Sequence, residues 1–139
     1  MKKSHYTFKD LLKIMEILRS PKGCPWDARQ NHKTLIKYLR EETREFIDSV
    51  NKGSPKEMAD ELGDILLQIV FHAQIAKENS LFSMTDVIQH ISRKLIRRHP
   101  HVFGSAKSKK IRDIPTIMTN WEKIKAKERR NTKTGSNHT

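Results

Sequence analysis

Apolar residues recur three and four positions apart along most of this chain, and proline or glycine marks the intervals between such runs. That period is the helical one. A first helix is predicted over about Thr7 to Arg19, with Phe8, Leu11, Leu12, Met15 and Leu18 on one side. Ser20 to Gln30 reads as an irregular loop whose Trp26 either plugs a core edge or faces a ligand. A second helix is expected over about Thr34 to Asn51, stopped by Gly53. Ser54, Pro55 and Glu57 then open a third as a capping box with proline at its first position, and that helix runs to about Asn79. A fourth spans about Thr85 to Arg98, with Val87, Ile88, Ile91 and Leu95 on its apolar face and Pro100 ending it. His99 to Asp113 reads as a loop. Pro115 starts a last helix. Residues 1–130 are read as a single domain and residues 131–139 as a disordered polar tail. No strand-like alternation and no internal repeat competes, so the expected fold is an all-α bundle of about five helices.

Two interruptions of this pattern carry the chemistry. In the second helix Glu41, Glu42 and Glu45 form one acidic cluster, and Glu42 falls between Leu39 and Phe46 on the apolar stripe. In the third, Glu61 and Asp64 repeat the three-residue spacing, and Asp64 shares a stripe with Leu67, Phe71 and Ile75. A solvated acidic face lies opposite the apolar stripe; these groups lie within it. Two such helices packed together aim four carboxylates at one point, an arrangement that needs positive charge among them. A divalent cation between the two central helices is the simplest candidate. The competing reading is an ordinary exposed acidic surface, because glutamate favours helices and such spacings are common.

Composition narrows the picture. Hydrophobic content of 35% against 32% charged residues is low for a compact monomer of 139 residues. Much of the apolar material lies between Ile65 and Ala76, which is apolar on nearly every side and has to be covered by its own domain or by a partner; a homo-oligomer, most simply a dimer, is expected. The lone Cys24 excludes an intrachain disulfide framework and suggests a reducing compartment. With no signal-like segment and no membrane span in view, the cytoplasm is the expected location. No CxxC or HxxxH pair supports zinc.

The net charge of +12 is unevenly placed. Arg93 to Arg130 holds 13 Lys/Arg against three acids, whereas Met1 to Asp60 holds 13 against nine. A polyanionic substrate gripped by metal and by basic side chains fits this distribution. So does electrostatic attachment to nucleic acid by a basic helical protein without catalysis. Arg97 and Arg98 also suit a helix C-terminus on dipole grounds alone. Trp121 suits core filling. His72 reads as a satisfied buried or interface residue, and Tyr38, one turn before Glu42, either stacks on a base or packs.

Taken together, GCPWD, EETRE, ELGDILLQIVFHAQ, RRHPHVFG and WEKIKAKER resemble a MazG-type nucleoside triphosphate pyrophosphohydrolase, from about Phe8 to Arg130. The resemblance implies an all-α, dimer-forming fold. It implies hydrolysis of nucleoside triphosphates between the α- and β-phosphates to give the monophosphate and pyrophosphate, with nucleic acid not required. Magnesium, with manganese as a substitute, is implied at Glu42, Glu45, Glu61 and Asp64. Glu41 is implied in the same site, where it would position or deprotonate the attacking water. Lys94, Arg97 and Arg98 correspond to phosphate-binding positions, and Trp121, with Lys125 one turn on, to the nucleotide end; Tyr38 is a candidate on its own position beside Glu42. Many members carry two tandem copies of the domain; this chain has one.

Overall fold

The computed structural model describes residues 1–135, and all regular structure among them is helical. Eight helices follow in order: α1 (Phe8–Leu18), α2 (Pro25–Arg29), α3 (His32–Lys52), α4 (Pro55–Glu78), α5 (Met84–Arg98), α6 (Pro100–Phe103), α7 (Ala106–Lys109) and α8 (Ile114–Gly135). The five long ones are those expected from periodicity. The three short ones fall in stretches read as loops. Proline stands at the first position of α2 and α6, where its fixed φ suits a helix start, and the Ser105 side chain caps α7. Helices of four or five residues are too brief to show a period. α8 also runs past residue 130, so residues 131–135, expected in the tail, are helical; residues 136–139 lie outside the described residues.

The chain divides into two compact units, Met1–Val87 and Ile88–Thr139. In the first, local signals fix the helix ends. Thr7 with Asp10 and Asn31 with Thr34 form reciprocal capping boxes at α1 and α3. At α4 only half of the expected box forms. Ser54 Oγ accepts from the Glu57 N–H, while the Glu57 carboxylate turns to Lys52 at 3.8 Å. α3 stops at Gly53, whose φ of 69° lies in the left-handed region open to glycine. The next residue already caps α4. With only Gly53 and Ser54 between them, α3 and α4 fold back on each other as a helical hairpin.

α1 packs on α4 beside this hairpin. The core joins Met15 from α1, Leu35 from α3, Val70, Phe71, Ala73 and Ile75 from α4, and Met84 from α5. Arg19 pins the surrounding chain. Its Nε and Nη2 donate to Glu78 at 2.8 and 3.1 Å, and its Nη1 donates to the carbonyls of Asp27 and Gln30 at 2.6 and 3.0 Å. Its guanidinium also lies 5.6 Å from the Phe71 ring centroid. The loop ahead of α2 returns so closely on α1 that a Cβ at Gly23 would stand 2.1 Å from the Ile17 carbonyl oxygen. The apolar run Ile65 to Ala76 is covered on one side: Val70, Phe71 and Ala76 are buried, while Leu66, Leu67 and Ile69 are 37, 37 and 43% exposed. No helix among the described residues is long and apolar enough to cross a membrane.

Candidate functional site

The hairpin sets the last half of α3 against the first half of α4. Glu42 and Glu45, three apart on one helix, thereby meet Glu61 and Asp64, three apart on the next. Each offers one carboxylate oxygen, and these oxygens all lie within 4.8 Å of one another. Glu42, Glu61 and Asp64 are partly buried, and Oε2 of both Glu42 and Glu61 is buried with no hydrogen-bond partner. Among the described residues, no lysine, arginine or histidine forms an ion pair with any of the four. Burial and then the charges of Asp64 and Glu45 push the Glu42 carboxyl above its ordinary value. Glu61 is pushed up to about 7, first by burial and then by Glu45, Asp64 and Asp60. A convergent set of hard oxygen donors, electrostatically unbalanced and with two orphaned oxygens, fits a divalent cation.

Glu41 stands outside this group. Its side chain is exposed, although its charge is felt at Glu42. Tyr38 packs against the core, with Trp26 edge-on at 5.6 Å and Lys37 Nζ 4.9 Å from its ring centroid. Trp26 itself is 50% exposed, so it does not plug the core. His72 stacks in parallel on His32, with their Nδ1 atoms 2.7 Å apart. Gln68, one turn after Asp64, is buried with its Oε1 unpartnered. The sequence reading singled out neither His32 nor Gln68; the spacing of Gln68 from Asp64 was the available signal.

In the second unit, Lys94, Arg97 and Arg98 line a groove of about 740 Å³ together with Arg129 and Glu128. Arg97 Nε donates to Glu128 Oε1 at 2.6 Å, and Arg98 Nη2 donates to Oε2 at 2.8 Å. The two guanidinium groups hold the Glu128 carboxyl down to about 2. Trp121 buries its Nε1 without a hydrogen-bond partner, and Lys125 Nζ lies 4.3 Å from its ring centroid. The sequence reading counted Glu128 among the acids of the basic stretch but gave it no site role. Its one signal was that it is among only three acids in a strongly basic stretch.

Residues 30–103 match the family described as the MazG nucleotide pyrophosphohydrolase domain. The chain is 47% identical over 129 residues to a Thermotoga maritima protein named nucleoside triphosphate pyrophosphohydrolase/pyrophosphatase MazG, covering 93% of this chain and 48% of that protein. It is 42% identical over 120 residues to the nucleoside triphosphate pyrophosphohydrolase of Escherichia coli K12, covering 86% of this chain and 44% of the relative. The chain thus spans about half the length of these curated relatives. A crystal structure of a mazG-related protein from Thermotoga maritima superposes with a TM-score of 0.70 at 25% identity, over 85% of this chain and 98% of that one.

Proposed function

Because the chain belongs to the MazG nucleotide pyrophosphohydrolase domain family, we propose that it hydrolyses nucleoside triphosphates between the α- and β-phosphates, releasing the monophosphate and pyrophosphate. The observation that carries this reading is the convergence of Glu42, Glu45, Glu61 and Asp64 from one hairpin. These four would hold magnesium, or manganese in its place. When bound, such an ion supplies charge neutralisation to the phosphates and acidity to water. Glu42 and Glu61 bring the orphaned oxygens that a cation satisfies. Glu41, exposed and adjacent, is free to orient the attacking water and accept its proton. Lys94, Arg97 and Arg98 would bind phosphate oxygens and stabilise charge on departing pyrophosphate, where the planar guanidinium matches the phosphate edge. Trp121, Lys125 and Tyr38 are assigned to the nucleotide end.

A second copy of the chain would cover the apolar side of α4 left open at Leu62, Leu66 and Ile69, so we assign a homodimer. The free thiol of Cys24 accords with a cytoplasmic location. Nucleic-acid binding without catalysis leaves the four convergent carboxylates without a purpose. The test is to incubate the pure protein with a panel of nucleoside triphosphates and magnesium, assaying pyrophosphate separately from orthophosphate. Pyrophosphate with the monophosphate supports the assignment. Orthophosphate alone, or no turnover of any nucleotide, removes it.

A further inference from the structure

Arg97 and Arg98 are consecutive residues of α5, so their side chains leave the helix about 100° apart. Left alone, two adjacent cations separate further. Here they converge on a single carboxylate. Glu128 of α8 accepts from Arg97 Nε at 2.6 Å and from Arg98 Nε at 3.4 Å through Oε1, and from Arg98 Nη2 at 2.8 Å through Oε2. We propose that Glu128 is a positioning residue that gathers Arg97 and Arg98 into one fork for phosphate oxygens. This rests on the assignment of those arginines to phosphate.

The donor inventory supports the role. Each arginine has five N–H donors. Among the described residues Arg97 commits only its Nε and Arg98 only its Nε and Nη2 to side-chain hydrogen bonds, leaving the Nη1 and Nη2 of Arg97 and the Nη1 of Arg98 without one. Among the described residues, Glu128 is the one acid lining this groove, beside Lys94, Arg97, Arg98 and Arg129. One anion among these cations reduces their mutual repulsion without cancelling the charge they present. The ligand class is therefore a compact polyanion presenting several phosphate oxygens, the tail of a triphosphate or pyrophosphate itself.

The experiment titrates the full chain with inorganic pyrophosphate in the presence of magnesium, for wild type, Glu128→Ala, Glu128→Gln and each change combined with Arg97→Ala/Arg98→Ala. Loss of charge-assisted hydrogen bonds predicts that Glu128→Ala weakens pyrophosphate binding about tenfold or more. Glu128→Gln, which keeps one acceptor and the volume, should show a smaller loss and decides the matter if the alanine variant fails to fold. In the Arg97→Ala/Arg98→Ala background neither change should add anything. The magnesium-induced thermal shift should stay at the wild-type value throughout. Unchanged pyrophosphate affinity in a folded Glu128 variant, an equal added loss without the arginines, or a wild type that does not bind pyrophosphate would each overturn the inference. A wild type that binds pyrophosphate yet cleaves no nucleotide would overturn the proposed reaction alone, and the Glu128 comparison would still be decisive.

Discussion

Replacing Glu42 by glutamine should stabilise the metal-free protein while abolishing its response to magnesium, an opposition of signs that few other arrangements produce. One oxygen of Glu42 lies within 4.8 Å of one from Asp64. Two full charges at that separation repel by about 1 kcal/mol at the dielectric constant of water and by about 3.5 kcal/mol at an effective constant of 20. Protonation within the cluster relieves part of this, so a gain of roughly 1–2 kcal/mol is expected from the neutral isostere. For a chain of this size that corresponds to a rise in Tm of about 4–8 °C. Wild-type protein at magnesium a hundredfold above its Kd should instead gain about 2.7 kcal/mol, because the ion binds the folded state alone. The assay is thermal unfolding at pH 8 after chelation, with and without magnesium. Glu42→Gln should start higher and then not move, and Asp64→Asn should behave alike. Glu41→Gln should keep the full magnesium shift, since Glu41 lies outside the group. A metal-free Glu42→Gln that melts below wild type, or one that retains the shift, would refute the electrostatic reasoning.

Other tests follow from the same structure. With its carboxyl raised to about 7 from an ordinary 4.5, Glu61 keeps a proton in mildly acidic solution and releases it when a cation binds. Apparent magnesium affinity should then fall by up to about tenfold per pH unit below 7 from this group alone, as titration calorimetry across pH 5.5 to 8.5 would reveal. The same raised value makes the ionised form unfavourable in the fold, so metal-free stability should decline as pH climbs from about 4.5 through 7; a flat profile would contradict it. Arg19→Ala removes a nearly buried guanidinium bound to Glu78 and two carbonyls, and should cost roughly 3 kcal/mol in urea unfolding. Because Arg19 lowers the Glu78 carboxyl, that contribution is complete above the ordinary carboxylate range and fades as pH drops below it. Gly23→Ala forces a Cβ against the Ile17 carbonyl, and should destabilise by more than about 1 kcal/mol.

The five long helices were legible because each spans at least three turns, and Gly53 and Ser54 marked one stop and one start; the start of α3, read at about Thr34, lies at the Asn31 cap. Pro25–Arg29 and Pro100–Phe103 were not, because a helix of four or five residues shows no recurrence to detect. The carboxylate group was legible for the opposite reason. Glu42 and Asp64 broke stripes that hydrophobic burial alone would have left apolar, and a two-residue connection leaves adjacent helices little choice but to pair. Contacts between positions distant in the chain left no such trace. Arg19 with Glu78, His32 with His72 and Arg98 with Glu128 are joined by folding alone, and nothing in one-dimensional order pairs Glu128 with Arg97 and Arg98.

The turn at Gly53 and Ser54 has a kinetic consequence. Closing so short a connection costs little chain entropy, and the pairings it creates are of low contact order, so Glu42 and Glu45 meet Glu61 and Asp64 without a search across the molecule. The oxygen cluster is therefore encoded as one continuous cassette, and changes in chain length outside that cassette leave its internal register untouched.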